Sequence, residues 1–169
     1  DWQAFAASHR ASLLSAGTLG LVRRWGLRNS HLTAIAPAGT ISLLAGNVSS
    51  GIEPIFGPVV ERNAHTRSGG VCRLVTQDYA CFLWHRFAPG QPLPEQFVFA
   101  DGLLPENHLA MQAAVQPYVD AGIAKTINLA PGTSFTAAGE IFDRAYALQL
   151  KGCTMFRAGL RESHFSCRA

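Results

Sequence analysis

The order of segments in the last third of the chain constrains the fold most. Ile123 to Leu129 is a run of strand length, and Thr133 or Ser134 can cap a helical pattern reaching about Leu150. Gly152 to Arg157 is a second strand-length run. Strand, helix, strand in that order is a βαβ unit, whose two strands lie parallel in one sheet. The expected class is therefore α/β. The chain has 169 residues, 48% hydrophobic and 15% charged, which suits a single folded segment over 1–169 and is too apolar for a disordered tail.

The rest of the chain reads less regularly. Phe5, Leu13, Leu14, Leu19, Val22 and Trp25 predict one helix over residues 4–25, broken near Gly17 or Gly20. His31 to Ala36 predicts a short strand, ended by Pro37-Ala38-Gly39. A short helix follows, with Gly39 or Thr40 at its start and Gly46 past its end. Residues 47–70, rich in Gly, Ser, Asn and Pro, predict a loop. Val71, Leu74, Val75, Tyr79, Phe82, Leu83 and Phe87 predict a helix over 71–87. Pro105 opens a further helix over 105–121, with Pro117 as a kink.

Charge and cysteine usage exclude several functions. The formal net charge is +3 and the basic residues are scattered, apart from Arg23, Arg24 and Arg28. A nucleic-acid footprint is denser, whereas a phosphorylated small molecule fits this balance. Cys72, Cys81, Cys153 and Cys167 form no C-x-x-C pair and no zinc spacing, so no metal site is expected. No apolar run is long enough for a membrane span, and the opening Asp1-Trp2-Gln3 has no basic, apolar signal character. A cytoplasmic protein with reduced thiols is expected.

Ala36-Pro37-Ala38-Gly39-Thr40-Ile41-Ser42 is the segment with most chemical content. A strand ends, a tight turn follows and a helix begins. Such a turn aims free backbone N–H groups at one point, the helix dipole adds positive character, and the Thr40 and Ser42 hydroxyls add donors. Phosphate is the natural ligand of such a site. The same pattern is also an ordinary capped helix start, and it is not a Walker loop, which needs G-x-x-x-x-G-K-[ST].

Read at length, the segment resembles a known family. Arg28-Asn29, then Ala36 to Ser42, then Ser49-Ser50-Gly51-Ile52-Glu53-Pro54 resembles the R-N, A-P-T-G-T-I-S and S-S-G-I-E-P region of class II, adenosylcobalamin-dependent ribonucleotide reductases. His108 to Gln116 is similar to their H-x-x-M-Q-A-A-x-Q helix, Lys125 to Leu129 to S-K-T-I-N-L, and Lys151 to Arg157 to K-G-x-T-x-Y-R. The motifs occur in order across about residues 28 to 161. Ala38 stands where the family usually has Thr, Ala124 where Ser is common, and Phe156 where Tyr is common. Ala158-Gly159-Leu160-Arg161 replaces D-G-S-R.

The resemblance implies the C-terminal portion of a ten-stranded α/β barrel, incomplete on its own. It assigns substrate-phosphate binding to Pro37, Ala38, Gly39, Thr40, Ile41 and Ser42, with Glu53 and Lys125 as support. The family's radical cysteine, in an N-x-C-x-E pattern that this chain lacks, lies upstream of every motif present here. Most of the adenosylcobalamin surface lies upstream too. The chain alone is expected to be inactive: a fragment, a split subunit or a remnant. Its expected partners are a ribonucleotide and the N-terminal reductase segment or subunit, or a second copy of itself, with no nucleic acid or membrane. The alternative is an inert phosphate-binding or protein-interaction module.

Individual residues have plainer readings. Cys153 reads as a buried structural thiol within a strand, and Cys72 and Cys81 as core positions of one helix. Cys167 near the terminus lacks the second thiol that a redox relay needs. His108 at a helix start reads as capping or exposed. Glu53 in G-I-E-P reads as an acceptor of backbone N–H groups rather than a general base. Lys125 is either a phosphate contact or a solvated strand-end lysine.

Overall fold

In a computed structural model of the protein, residues 1–65 and 68–157 are described. The expected βαβ unit is present. Strand β3 (Thr126–Leu129) pairs in parallel with β4 (Thr154–Arg157), and helix α7 (Phe135–Ala147) crosses between them. Ser134 caps α7 by accepting the Ala137 N–H at 3.1 Å. Ile127 and Leu129 point into the core with Leu109, Ile141 and Ala145, while Thr126 and Asn128 alternate to the other face. Leu109 comes from helix α6 (Pro105–Val115), which ends at Pro117 in a single 3-10 turn, Gln116–Tyr118. Proline lacks the N–H that a continuing helix requires, so the expected kink is a helix end.

The stretch before the Pro/Gly turn is strand-like but short. Ile35 bridges Ile123 in parallel, and Thr33 and Ile35 carbonyls accept the Ala121 and Ala124 N–H groups at 3.0 and 2.9 Å. This lays 31–36 beside the approach to β3. Asp120 locks the register: its carboxylate accepts the Leu32 and Thr33 N–H groups at 2.5 and 2.9 Å and pairs with Arg10.

Three expectations are corrected. The N-terminal helix is three pieces, α1 (Trp2–Ala6), α2 (His9–Ser12) and α3 (Ala16–Trp25), because Ser8 and Ser15 each cap a new start. Residues 59–65 are a strand, β1 (Val59–His65), not loop. Residues 71–77 are its antiparallel partner β2 (Val71–Gln77), not helix. The helical part of that stretch, α5 (Tyr79–Phe87), begins after Asp78, whose side chain accepts the Cys81 N–H at 3.0 Å. Cys72 is therefore exposed on a strand, and Cys81 is buried on a helix. Among the described residues the sheets are two-stranded and no barrel closes. No helix among them is long and apolar enough to cross a membrane.

Candidate functional site

The short helix α4 (Gly39–Leu44) starts on Ala38, which adopts the left-handed conformation at φ 52° and ψ 19°. That conformation strains a residue with a Cβ by roughly 1–2 kcal/mol. Asp1, Ser8, Ser15, Asp78 and Ser134 each place a side-chain oxygen on the first turn of their helices. Ala38 has none to offer, and α4 has no side-chain cap. The first N–H groups of a helix have no partner within it, so the start of α4 is short of acceptors. Ser42 is buried, and its hydroxyl donates back to the Gly39 carbonyl at 2.7 Å. The loop's donors are therefore chiefly backbone N–H groups.

This turn borders a cleft of about 350 Å3. Of the six loop positions singled out in the sequence, Pro37, Gly39 and Ser42 line it. Ala38 shapes the turn, and Thr40 and Ile41 are exposed outside the lining. Glu53 and Lys125 line the same cleft and bond to each other. Arg62 of β1, which nothing in the sequence singles out, also lines it, as do Thr126 and Asn128 of β3, a strand that the family resemblance sets at the end of the barrel without singling out either residue. The alternation of Thr126-Ile127-Asn128-Leu129 carried the signal for the latter two: the apolar pair faces the core, so the polar pair faces the cleft.

The wall of the cleft is an ionic cluster. Glu53 Oε1 accepts the Thr126 N–H at 2.5 Å, which agrees with its expected anchoring role. Its Oε2 accepts from Lys125 Nζ at 2.5 Å. Lys125 Nζ also donates to His108 Nδ1 at 2.8 Å and to the Thr126 carbonyl at 3.0 Å. Lys125 is 3% exposed and His108 1%, so the solvated lysine and the exposed or capping histidine are both corrected. The β3 register turns Lys125 inward, and His108, one turn into α6, meets it. An ammonium has only donors, so Nδ1 must accept and the imidazole proton sits on Nε2. Burial pushes the His108 pKa below its usual value; Lys125 adds to that and Glu53 opposes it. The imidazole is neutral at pH 7.

Cys153 precedes β4, half-buried against the core, and burial raises its thiol pKa. It packs against the core just before the strand rather than within it. Cys167 and residues 158–161 lie outside the described residues. No group of three or more His, Cys, Asp or Glu side chains among the described residues is arranged to hold a metal ion.

Comparison with known proteins places this architecture. The family model "Ribonucleotide reductase, barrel domain" matches residues 9–80 and 89–156. The chain belongs to the ribonucleotide reductases, as a segment of their barrel domain. It is 34% identical over 153 residues to a vitamin B12-dependent ribonucleoside-diphosphate reductase of Mycobacterium tuberculosis, covering 80% of this chain and 22% of that protein. A Thermoplasma acidophilum enzyme of the same name is 31% identical over 177 residues, covering 89% and 23%. A vitamin B12-dependent ribonucleotide reductase of Rhodopirellula baltica is 25% identical, covering 87% and 17%. These relatives make this a partial class II reductase segment. The chain spans about a fifth of the length of the curated relatives it matches.

Proposed function

We propose that this chain holds the phosphate end of a ribonucleotide in the cleft beside α4, while another part of a reductase performs the radical chemistry. The observation that carries the reading is the uncapped start of α4 at the cleft, fixed by the left-handed Ala38. Unpaired N–H groups at a helix start favour an anion, and phosphate supplies several acceptor oxygens at once. Fixing that end of the ligand would orient its ribose for a reaction supplied from elsewhere. The names of the relatives, reductases of ribonucleotides, agree with such a ligand.

On this reading residues 1–169 are one segment of a larger barrel. Each two-stranded sheet leaves edges without a partner among the described residues, and Leu44 and Phe135 are 89% and 92% exposed. Edges and apolar surface of that kind call for cover, either by the rest of a barrel or by a second copy. A cytoplasmic setting fits such an enzyme. The relatives depend on vitamin B12, but the cleft here is at the small end for ligand sites. It has room for a phosphorylated sugar and not for a corrin ring with its side arms. That cleft does not fit the cofactor.

The test is ADP affinity in variants of the loop. Gly39→Val places bulk at the cleft wall and should weaken binding roughly tenfold, the scale of an obstructed backbone contact. Ser42→Ala removes the bond that ties the loop to itself and should weaken it about fivefold. Unchanged affinity in both variants contradicts the assignment.

A further inference from the structure

Glu53 sets a carboxylate, 21% exposed, in the wall of a cleft whose proposed ligand is an anion. Placed there alone, it would repel a phosphate. Lys125 answers it from behind. The three N–H groups of Lys125 go to Glu53 Oε2, His108 Nδ1 and the Thr126 carbonyl. An ammonium has three donors, so none remains for a ligand, although its charge still acts through space. The charged residues lining the cleft are Glu53 and Asp78 against Arg62 and Lys125, so their formal charges cancel. Loss of Lys125 would leave the lining with one net negative charge.

Resting on the phosphate reading above, we propose that Lys125 is a positioning residue that acts through Glu53. It cancels the carboxylate's repulsion of a bound phosphate and holds that carboxylate against the Thr126 N–H, without touching the ligand. His108 completes the arrangement as a neutral acceptor for the third N–H and adds no charge of its own. The lysine that sequence alone leaves open as a phosphate contact thus affects phosphate binding indirectly.

The test titrates inorganic phosphate and pyrophosphate into the 169-residue chain, its Lys125→Met, Glu53→Gln and doubly substituted variants, with amide NMR reporting both fold and affinity. Lys125→Met should weaken pyrophosphate binding roughly tenfold, the effect of one unpaired charge several ångströms away at a partly solvated site. The loss should be smaller for phosphate, which carries less charge, and should shrink as salt is raised. The double variant restores the charge balance and should return to within about threefold of the parent chain, the usual tolerance of additivity. A purely structural lysine would weaken both ligands alike at every salt concentration, and the double variant would be no better than the single one. Either of those results overturns the proposal, as does parent-like pyrophosphate affinity in Lys125→Met. If Lys125→Met does not fold, Glu53→Gln decides: it keeps the lysine, removes the negative charge and must bind pyrophosphate more tightly than the parent. Equal or weaker binding overturns the proposal. If the parent chain binds neither ligand, the phosphate reading itself fails and takes this inference with it.

Discussion

The β3–α7–β4 unit and the β1–β2 hairpin are both built from short strands with apolar residues, yet they bury them very differently. Ile127 and Leu129 of β3 are enclosed by Leu109 from α6 and by Ile141 and Ala145 from α7. In the hairpin Val60 is buried, while Val71, Leu74 and Val75 are largely exposed. What separates the two is cover. A parallel pair requires a crossover, and that crossover is itself the helix that closes one face of the sheet. An antiparallel hairpin needs only a turn and brings no helix with it. The cleft lies where the two regions meet: β3 contributes its polar face, and β1 contributes Val60 and Arg62.

The contrast has a measurable consequence in stability. Ile127→Ala in the covered strand should destabilise the chain by about 3 kcal/mol, whereas Leu74→Ala in the hairpin should change it by about 0.5 kcal/mol or less. Urea unfolding of both variants checks this, and equal losses would break the comparison. Asp120→Ala cuts the tie between the 31–36 stretch and the parallel unit. It leaves the Leu32 and Thr33 N–H groups without their acceptor and should lower stability by about 2 kcal/mol in the same assay.

The pH dependence sharpens the picture of what is enclosed. Burial, helped by Asp78, pushes the Cys81 thiol up from 9.0 to about 11. Its proton is held more tightly in the folded state, so this contribution is complete below pH 9 and is lost as pH rises toward 11. His108 is shifted the other way, below 6.5. The unfolded imidazole takes up a proton first, so stability should fall as pH drops through 6.5 and below. Thermal melts across pH 5 to 11 should therefore show a plateau with two descending limbs, and His108→Gln should flatten the acid one. The smallest expected effect concerns thiol access: iodoacetamide should label exposed Cys72 well before buried Cys81, with little loss of stability from the first adduct. Equal labelling rates would mean that α5 is no better covered than the hairpin.

The same contrast explains what could be read from the sequence. The parallel unit was legible because burial imposes periodicity: alternation in Thr126 to Leu129 and helical spacing behind Ser134. The hairpin was not, because its apolar residues are not sorted by burial. Val71, Leu74 and Val75 happen to fall at i, i+3 and i+4, the spacing of a helix face, on a strand exposed along most of its length. In the site, the turn at Pro37 to Ser42 was legible from its local chemistry, as was the anchoring role of Glu53. The burial of Lys125 and His108 was not, since it depends on α6 meeting the start of β3, with the two partners 17 positions apart in the chain. The part played by Arg62 was hidden with its strand.

On the reading proposed above, a preformed turn at the start of α4 receives a phosphate. The most direct measurement is a titration of ADP into the isotopically labelled chain, followed by amide NMR. The expected result is a set of saturable shifts centred on Gly39 to Ser42, extending to Thr126 and Asn128 across the cleft, and reproduced in part by pyrophosphate. Shifts confined to other surfaces, or none at millimolar ADP with the fold intact, would contradict it.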